Sequence, residues 1–267
     1  MTSIELKTSK ILASVEGGVG WLTFNQPEKR NAVSLEMWRG IGDALEVFQE
    51  DDGVLVVVMS GAGGRAFASG ADISEFDQRR ANATQRKQYA EISERGHYWL
   101  GHFNKPLIAM IHGFCIGGGL AIALNADVRF ATPGSKFGVP AARLGLGYEY
   151  PGLAKLARLV GPSSARDIMF TARFLETDEA LKIGLVNFVV SEQEIEARVK
   201  DYVDLIAKNA PLTVKAAKAA VNAFEKYSVL EAAKEIAPMV DACFDSEDYK
   251  EGRQAFAEKR PPNFRGR

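Results

Sequence analysis

Apolar and polar positions follow two different periods along the 267-residue chain. Ile11–Glu16 and Gly20–Phe24 are short β-rich runs on either side of Gly17-Gly18, a pattern that predicts a hairpin. Ser34 offers an N-cap for a helix to Gln49, because Leu35, Trp38, Ile41, Leu45 and Phe48 recur at helical spacing. Val54–Met59 is a continuous apolar run between Gly53 and Gly61, the pattern of a strand covered on both faces. A long polar helix is predicted over residues 78–103 and a second buried strand over Leu107–Ile111. A glycine turn, a helix over Gly118–Asn125 and a strand at Val128–Ala131 follow.

Beyond Pro151 the helical period takes over. It predicts helices over Leu153–Val160, Ser163–Thr171, Thr177–Ile183, Glu192–Lys208, Pro211–Lys226, Val229–Phe244 and Ser246–Glu258. Gly161-Pro162 and Asn209-Ala210-Pro211 interrupt the series. Strands mixed with helices, then helices alone, imply an α/β core followed by a helical C-terminal region. No low-complexity linker parts the two, so the chain reads as one domain, with residues 1–200 as core and 201–267 as a helical appendage.

Charge narrows the function. Thirty-three basic residues against 34 acidic ones leave a net charge of −1, so no strong field gathers nucleic acid or an anionic membrane. A 46% hydrophobic, 25% charged composition is that of a globular protein. Pro106–Ala126 carries no formal charge, but glycines, a proline and His112 interrupt it, which favours a strand, turn and buried helix over a membrane span. Met1–Lys10 is too polar for a signal peptide. The two cysteines, Cys115 and Cys243, form no metal-binding or disulfide pattern. A reduced, cytoplasmic protein without a metal is expected.

The sharpest local feature is Gly117-Gly118-Gly119, between a buried strand and an apolar helix. Amides at such a helix start have no helical partner and favour negative charge. Phosphate binding, stabilisation of an oxyanion and simple close packing of helix on strand are all uses of such a turn. The Lys-Ser/Thr pair of a phosphate loop is missing, and no GxGxxG occurs. A second glycine-rich loop, Gly63-Gly64-Arg65-Ala66-Phe67-Ala68-Ser69-Gly70-Ala71-Asp72-Ile73, follows the Val54–Met59 strand. Two such loops can converge on one crevice and offer one backbone N–H each to the same oxygen.

Together with Asn25-Gln26-Pro27-Glu28-Lys29-Arg30-Asn31-Ala32-Val33 and Ala255-Phe256-Ala257-Glu258-Lys259-Arg260, these segments resemble the crotonase (enoyl-CoA hydratase/isomerase) superfamily over almost the whole chain. The resemblance implies a spiral of ββα units with a helical trimerisation region, as a homotrimer or a dimer of trimers. It implies acyl-CoA thioester substrates, with no cofactor beyond the coenzyme A the substrate carries, and a place in fatty acid metabolism. It places an oxyanion hole at the backbone of Ala71 and Gly118. Lys29, Arg30 and Ala32 match the coenzyme cradle, as do Ser69, Asp72 and Ile73, while Phe256 and Lys259 match positions that close over the coenzyme.

The departures bear on the reaction. Hydratases of the family place one glutamate two residues past the glycine triplet and another after F-G-x-P. Here those positions are Ala121 and Ala141, and an alanine moves no proton. The hydratase lysine after A-D-I is Ser74. Tyr148, in Tyr148-Glu149-Tyr150, matches a tyrosine of the superfamily's malonyl-type-CoA decarboxylases, although Ala71 stands where the best-known decarboxylase pattern has histidine.

Decarboxylation needs no base to form its enolate. A phenol titrating near pH ~10 holds the proton that the enolate must receive. An atypical hydratase or isomerase using Glu149, a thioesterase and a non-catalytic acyl-CoA-binding protein are the alternatives. Tyr148 is either a proton handler or pocket lining, and Glu149 either a relocated acid or a surface residue. Arg143 reads as a partner for a substrate carboxylate or for acidic surface, His112 and Cys115 as structural, and His97 and His102 as solvent-facing.

Overall fold

A computed structural model describes residues 1–75, 83–209, 211–226, 241, 244–260 and 262. Seven strands form the larger sheet, in the order β1 (Thr2–Ile4), β2 (Ile11–Glu16), β3 (Val19–Phe24), β4 (Val56–Gly61), β6 (Leu107–Ile111), β8 (Val128–Ala131) and β11 (Phe188–Val189). β2 and β3 are the expected hairpin, turned by Gly17 and Gly18 with φ of 58° and 81°. From β3 to β11 the neighbours are parallel. The smaller sheet runs β10 (Leu175–Glu176), β9 (Lys136–Gly138), β7 (Phe114–Ile116), β5 (Ala66–Ala68). Its β5, β7 and β9 are parallel, and β10 is antiparallel to β9.

The chain alternates between the sheets. β4 leads to β5 and helix α2 (Ala83–His102), and β6 leads to β7 and α3 (Gly118–Ala123). β8 leads to β9, a 3₁₀ turn (Pro140–Leu144) and α4 (Tyr150–Thr171). This repeated strand, strand, helix step is the ββα spiral the resemblance implied. Its corners need glycine: Gly113, between β6 and β7, has φ 59°, and a Cβ there would lie 2.0 Å from the Arg65 carbonyl oxygen.

Packing explains the continuous apolar run of the central strand. On β4, Val57 and Met59 face a core that includes Trp38, Ile41, Leu45 and Phe48 of helix α1 (Leu35–Glu50). Val56 and Val58 face the other way, onto Ile195, Val199 and Val203 of a later helix, Ile195–Ala207. Ser34 caps α1 by accepting from Met37 N–H at 3.3 Å. At its other end the buried Lys105 ammonium donates to the Phe48 and Asp51 carbonyls, both at 2.7 Å.

Several expectations change. β5, β7 and β9 were not expected, and residues 114–116, expected as part of a glycine turn, are a strand. Three-residue strands are too short for alternation to show. β1, of three residues, and β10 and β11, of two each, are further short additions. The break expected at Gly161-Pro162 is present: Gly161 takes the non-helical φ 78° and ψ 154° and divides α4 into the two expected helices. The strand expected from Val54 begins at Val56, and the helix expected to Asn125 ends at Ala123.

Among the later helices are α5 (Thr177–Lys182), α6 (Ile195–Ala207), α7 (Pro211–Lys226) and α8 (Glu247–Ala257). Residue 200 lies inside α6, whose apolar face covers the larger sheet. The helix expected over Val229–Phe244, apart from Phe244 and Asp241, lies outside the described residues, as does Cys243. α8 packs on the Pro140–Leu144 turn so closely that a Cβ on Gly252 would lie 2.3 Å from the Leu144 carbonyl. Among the described residues, no helix is long and apolar enough to cross a membrane, and no cluster of side chains has metal-binding composition.

Candidate active site

The three parallel strands of the smaller sheet point their C-terminal ends the same way, and each runs into a loop. Ser69-Gly70-Ala71 follows β5, Gly117-Gly118-Gly119 follows β7, and Val139-Pro140-Ala141 follows β9. Gly117 N–H donates to the Gly138 carbonyl at 2.8 Å, which fastens the second loop to the third. The first and second meet directly: a Cβ on Gly118 would lie 3.4 Å from the Ala71 nitrogen and 3.6 Å from the Gly70 carbonyl carbon. Such an approach uses Gly70 at φ 121° and Gly117 at φ 51°, conformations that a side chain would disfavour.

The main chain leaves two amides facing this junction. Ala71 forms an isolated parallel bridge with Val33, in which Val33 N–H donates to the Gly70 carbonyl and Asp72 N–H to the Val33 carbonyl. Those bonds bracket Ala71 and turn its own N–H away from Val33. Gly118 is the first residue of α3, so its N–H has no helical acceptor. An amide at a helix start beside a second amide from a neighbouring loop is an arrangement able to stabilise a developing oxyanion.

The two positions at which the resemblance implies acids in hydratases carry methyl groups. Ala121 is half-buried in α3, and Ala141 is 6% exposed in the turn after β9. Tyr148 packs against the main core, its ring over Gly152 in the first turn of α4, where a Cβ would lie 3.1 Å from the ring and 3.8 Å from the phenol oxygen. Glu149 is exposed and is the N-cap residue of α4 without a side-chain cap bond. The Arg143 guanidinium stands over the Phe174 ring, 5.5 Å from its centroid, within the reach of about 6 Å of a cation–π contact.

Of the residues expected to cradle the coenzyme, those of the Lys29–Val33 loop run beside the Ser69–Asp72 loop. The Arg30 carbonyl accepts from Ser69 N–H at 3.1 Å, and its guanidinium lies 5.1 Å from the Phe114 ring centroid. Lys29 Nζ donates to Asp72 Oδ2 at 2.8 Å and to Ser74 Oγ at 3.2 Å. The Asp72 carboxylate hydrogen bond raises the Lys29 ammonium above its usual value. Burial alone pushes the Asp72 carboxyl upward, but the bonds from Lys29 and from the Ser74 hydroxyl and amide outweigh it and hold the group below its ordinary value. Ala32 is half-buried within this loop, and Ile73 opens the short turn after Asp72. Phe256, 53% exposed, and Lys259, at φ 53°, lie at the end of α8, whose main packing is against Pro140–Leu144 rather than the cradle.

Asn31 was not singled out from the sequence, yet it holds the loops together. Fully buried at φ 54°, it accepts Gln26 N–H at 2.9 Å and donates to the Ala62 and Ala66 carbonyls at 3.0 and 2.8 Å. The available signal was residue type, since asparagine tolerates the left-handed region and bonds backbone well. Burial lowers His112 and pushes the Cys115 thiol well up, so that Cys115 is not poised as a nucleophile at neutral pH. His97 stacks on Trp38, and His102 on Tyr98.

Residues 14–267 match the enoyl-CoA hydratase/isomerase family model. The chain belongs to this family. Among its relatives, a short-chain-enoyl-CoA hydratase of Clostridium acetobutylicum is 34% identical over 96% of this chain and 97% of its own. A crotonyl-CoA hydratase of Syntrophomonas wolfei is 33% identical over 95% and 97%. Among solved structures, a methylmalonyl-CoA decarboxylase in complex with 2-nitronate-propionyl-CoA superposes with a TM-score of 0.88 at 27% identity, covering 97% of this chain and 99% of that one. An enoyl-CoA hydratase/carnithine racemase from Magnetospirillum magneticum gives 0.80 at 37%, with 98% and 97% covered. In this enoyl-CoA hydratase/isomerase family member, then, the loops after β5 and β7 bring Gly118 against the Ala71 backbone, with Ala121 in α3 and Ala141 in the turn after β9.

Proposed function

We propose that this family member is an acyl-CoA lyase that forms a thioester enolate between the Ala71 and Gly118 amides, and that its reaction is decarboxylation of a malonyl-type CoA. One observation supports the reading: the Gly118 turn closes on the Ala71 backbone, while the alanines at 121 and 141 offer no side chain that accepts or delivers a proton. Decarboxylation suits that equipment. The bond from Cα to the carboxylate breaks, its electron pair moves into the enolate, and carbon dioxide leaves. The thioester oxygen takes up negative charge against the two N–H groups, each worth about 3 kcal/mol in such holes. Cα then takes a proton from the Tyr148 phenol, which recovers one from water.

In this reading Lys29, Arg30, Ala32, Ser69, Asp72 and Ile73 form the coenzyme cradle, and Phe256 and Lys259 close over it. The active species is a cytoplasmic homotrimer or dimer of trimers that needs no cofactor. A second reading, an atypical hydratase or isomerase using Glu149, is favoured by the hydratase names of the relatives. Glu149 is exposed at the start of α4, whereas a relocated acid has to be held within hydrogen-bond reach of the reacting atoms.

A paired assay separates the two. Crotonyl-CoA is followed by loss of enoyl absorbance, and methylmalonyl-CoA and ethylmalonyl-CoA by carbon dioxide release. Carbon dioxide release that Tyr148→Phe abolishes supports the lyase. Crotonyl-CoA turnover that survives Tyr148→Phe and disappears in Glu149→Gln establishes the hydratase instead.

A further inference from the structure

The cradle loop and the oxyanion loop are joined along their edges. Ser69 N–H donates to the Arg30 carbonyl, Val33 N–H to the Gly70 carbonyl and Asp72 N–H to the Val33 carbonyl, at 3.1, 2.7 and 2.9 Å. These are main-chain bonds that no ligand needs to touch. Two side-chain links cross the same seam: Ser69 Oγ donates to the Lys29 carbonyl at 3.3 Å, and the charged Lys29 Nζ donates to Asp72 Oδ2 and Ser74 Oγ. Ser74 closes the ring, its N–H and hydroxyl both donating to Asp72 Oδ1 at 3.0 and 2.6 Å.

The two ends of this strap differ. The Asp72 side chain is 7% exposed and has both oxygens engaged, whereas that of Lys29 is 48% exposed. An ammonium has three N–H groups, and the strap uses two, so Lys29 can bond an incoming phosphate without releasing Asp72. Asp72 directly follows Ala71. Its position is felt one residue back, where small displacements decide how well an amide meets a transition-state oxygen.

We infer that Asp72 is a positioning residue which, through Lys29, makes polarisation of the thioester carbonyl depend on the phosphate-bearing end of the coenzyme. The inference rests on the acyl-CoA reading above. It is a route by which binding energy from a remote part of the substrate is spent at the reacting centre.

The test compares propionyl-CoA with S-propionyl-pantetheine, which has the same thioester and no phosphate. Each carries a ¹³C-labelled carbonyl, and its stretching band is read by difference infrared spectroscopy at saturation. In the wild type the propionyl-CoA band shifts further to low frequency than the pantetheine band. Asp72→Asn brings the propionyl-CoA band to the pantetheine position while leaving the pantetheine band unmoved, which a merely structural defect does not do. Lys29→Met, at a half-exposed side chain, gives the same collapse and decides the matter if Asp72→Asn fails to fold. A full propionyl-CoA shift in the variants, or equal shifts for the two ligands in the wild type, overturns the inference and leaves the oxyanion hole intact. No shift with either ligand in the wild type overturns the acyl-CoA reading, and the inference with it.

Discussion

Gly119 opens against the end of β5: a Cβ there would lie 2.1 Å from the Ala68 carbonyl oxygen and 2.7 Å from its carbon. Both are backbone atoms, so no side chain can move aside. This contact seats the start of α3 on the strand that leads to Ala71, and it is why the two loops converge. Gly118 has more room, since its Cβ would meet the Ala71 nitrogen at 3.4 Å, an ordinary contact distance.

The two adjacent glycines are therefore expected to fail differently. Gly119→Ala forces backbone apart and costs about 3 kcal/mol or more, read as a large fall in Tm or loss of soluble protein. Gly118→Ala keeps Tm close to wild type but puts a methyl group beside the Ala71 amide, lowering activity by about 10²-fold. Equal Tm losses in the two variants would refute this division between scaffold and site.

Tyr148→Phe removes only a hydroxyl from a half-buried ring that still packs on the core and on Gly152. Carbon dioxide release from the accepted malonyl-type CoA is expected to fall about 10²-fold with little change in Tm. An unchanged rate would reduce the ring to pocket lining.

Restoring the missing acids tests whether they alone bar hydration. The double variant Ala121→Glu with Ala141→Glu is expected to gain measurable crotonyl-CoA hydration. Ala141 is nearly buried, so a carboxylate there loses solvent and its pKa rises toward the range of a general acid. Absence of any gain in a folded double variant would mean that the pocket around the acyl chain has also changed.

Asp72 ties acid sensitivity to the cradle. Its carboxyl titrates lower in the folded protein than in the unfolded chain, so on acidification the unfolded chain takes up the proton first. The stabilisation is complete above the unfolded value of about 4 and disappears as pH falls through the folded value. At neutral pH Asp72→Asn is expected to cost about 1–3 kcal/mol, and the gap in Tm closes as pH drops below that unfolded value. A gap that stays constant throughout the acid range would assign the loss to packing instead of charge.

How much of this was readable in advance depended on length and locality. The hairpin, α1, β6 and β8 could be read because runs of four residues or more carry a period or an unbroken apolar stretch, and caps such as Ser34 mark their ends. The two alanines at the acid positions, the glycine triplet and the family motifs are local strings, and local strings survive in a sequence. β5, β7 and β9 carry no such signal at three residues each, and they align only because neighbouring strands supply their hydrogen bonds.

Sequence alone thus determined the family resemblance, which implied ββα units, and the chemistry that alanine forbids, since motifs and side-chain chemistry depend on residue type and spacing. Tertiary structure decided that Gly118 reaches Ala71, that Asn31 joins three loop segments, that Glu149 stands exposed at a helix start, and that Lys29 meets Asp72. Each of these joins or places residues distant in the chain, where distance and direction are set by the packing of two sheets and not by any local preference.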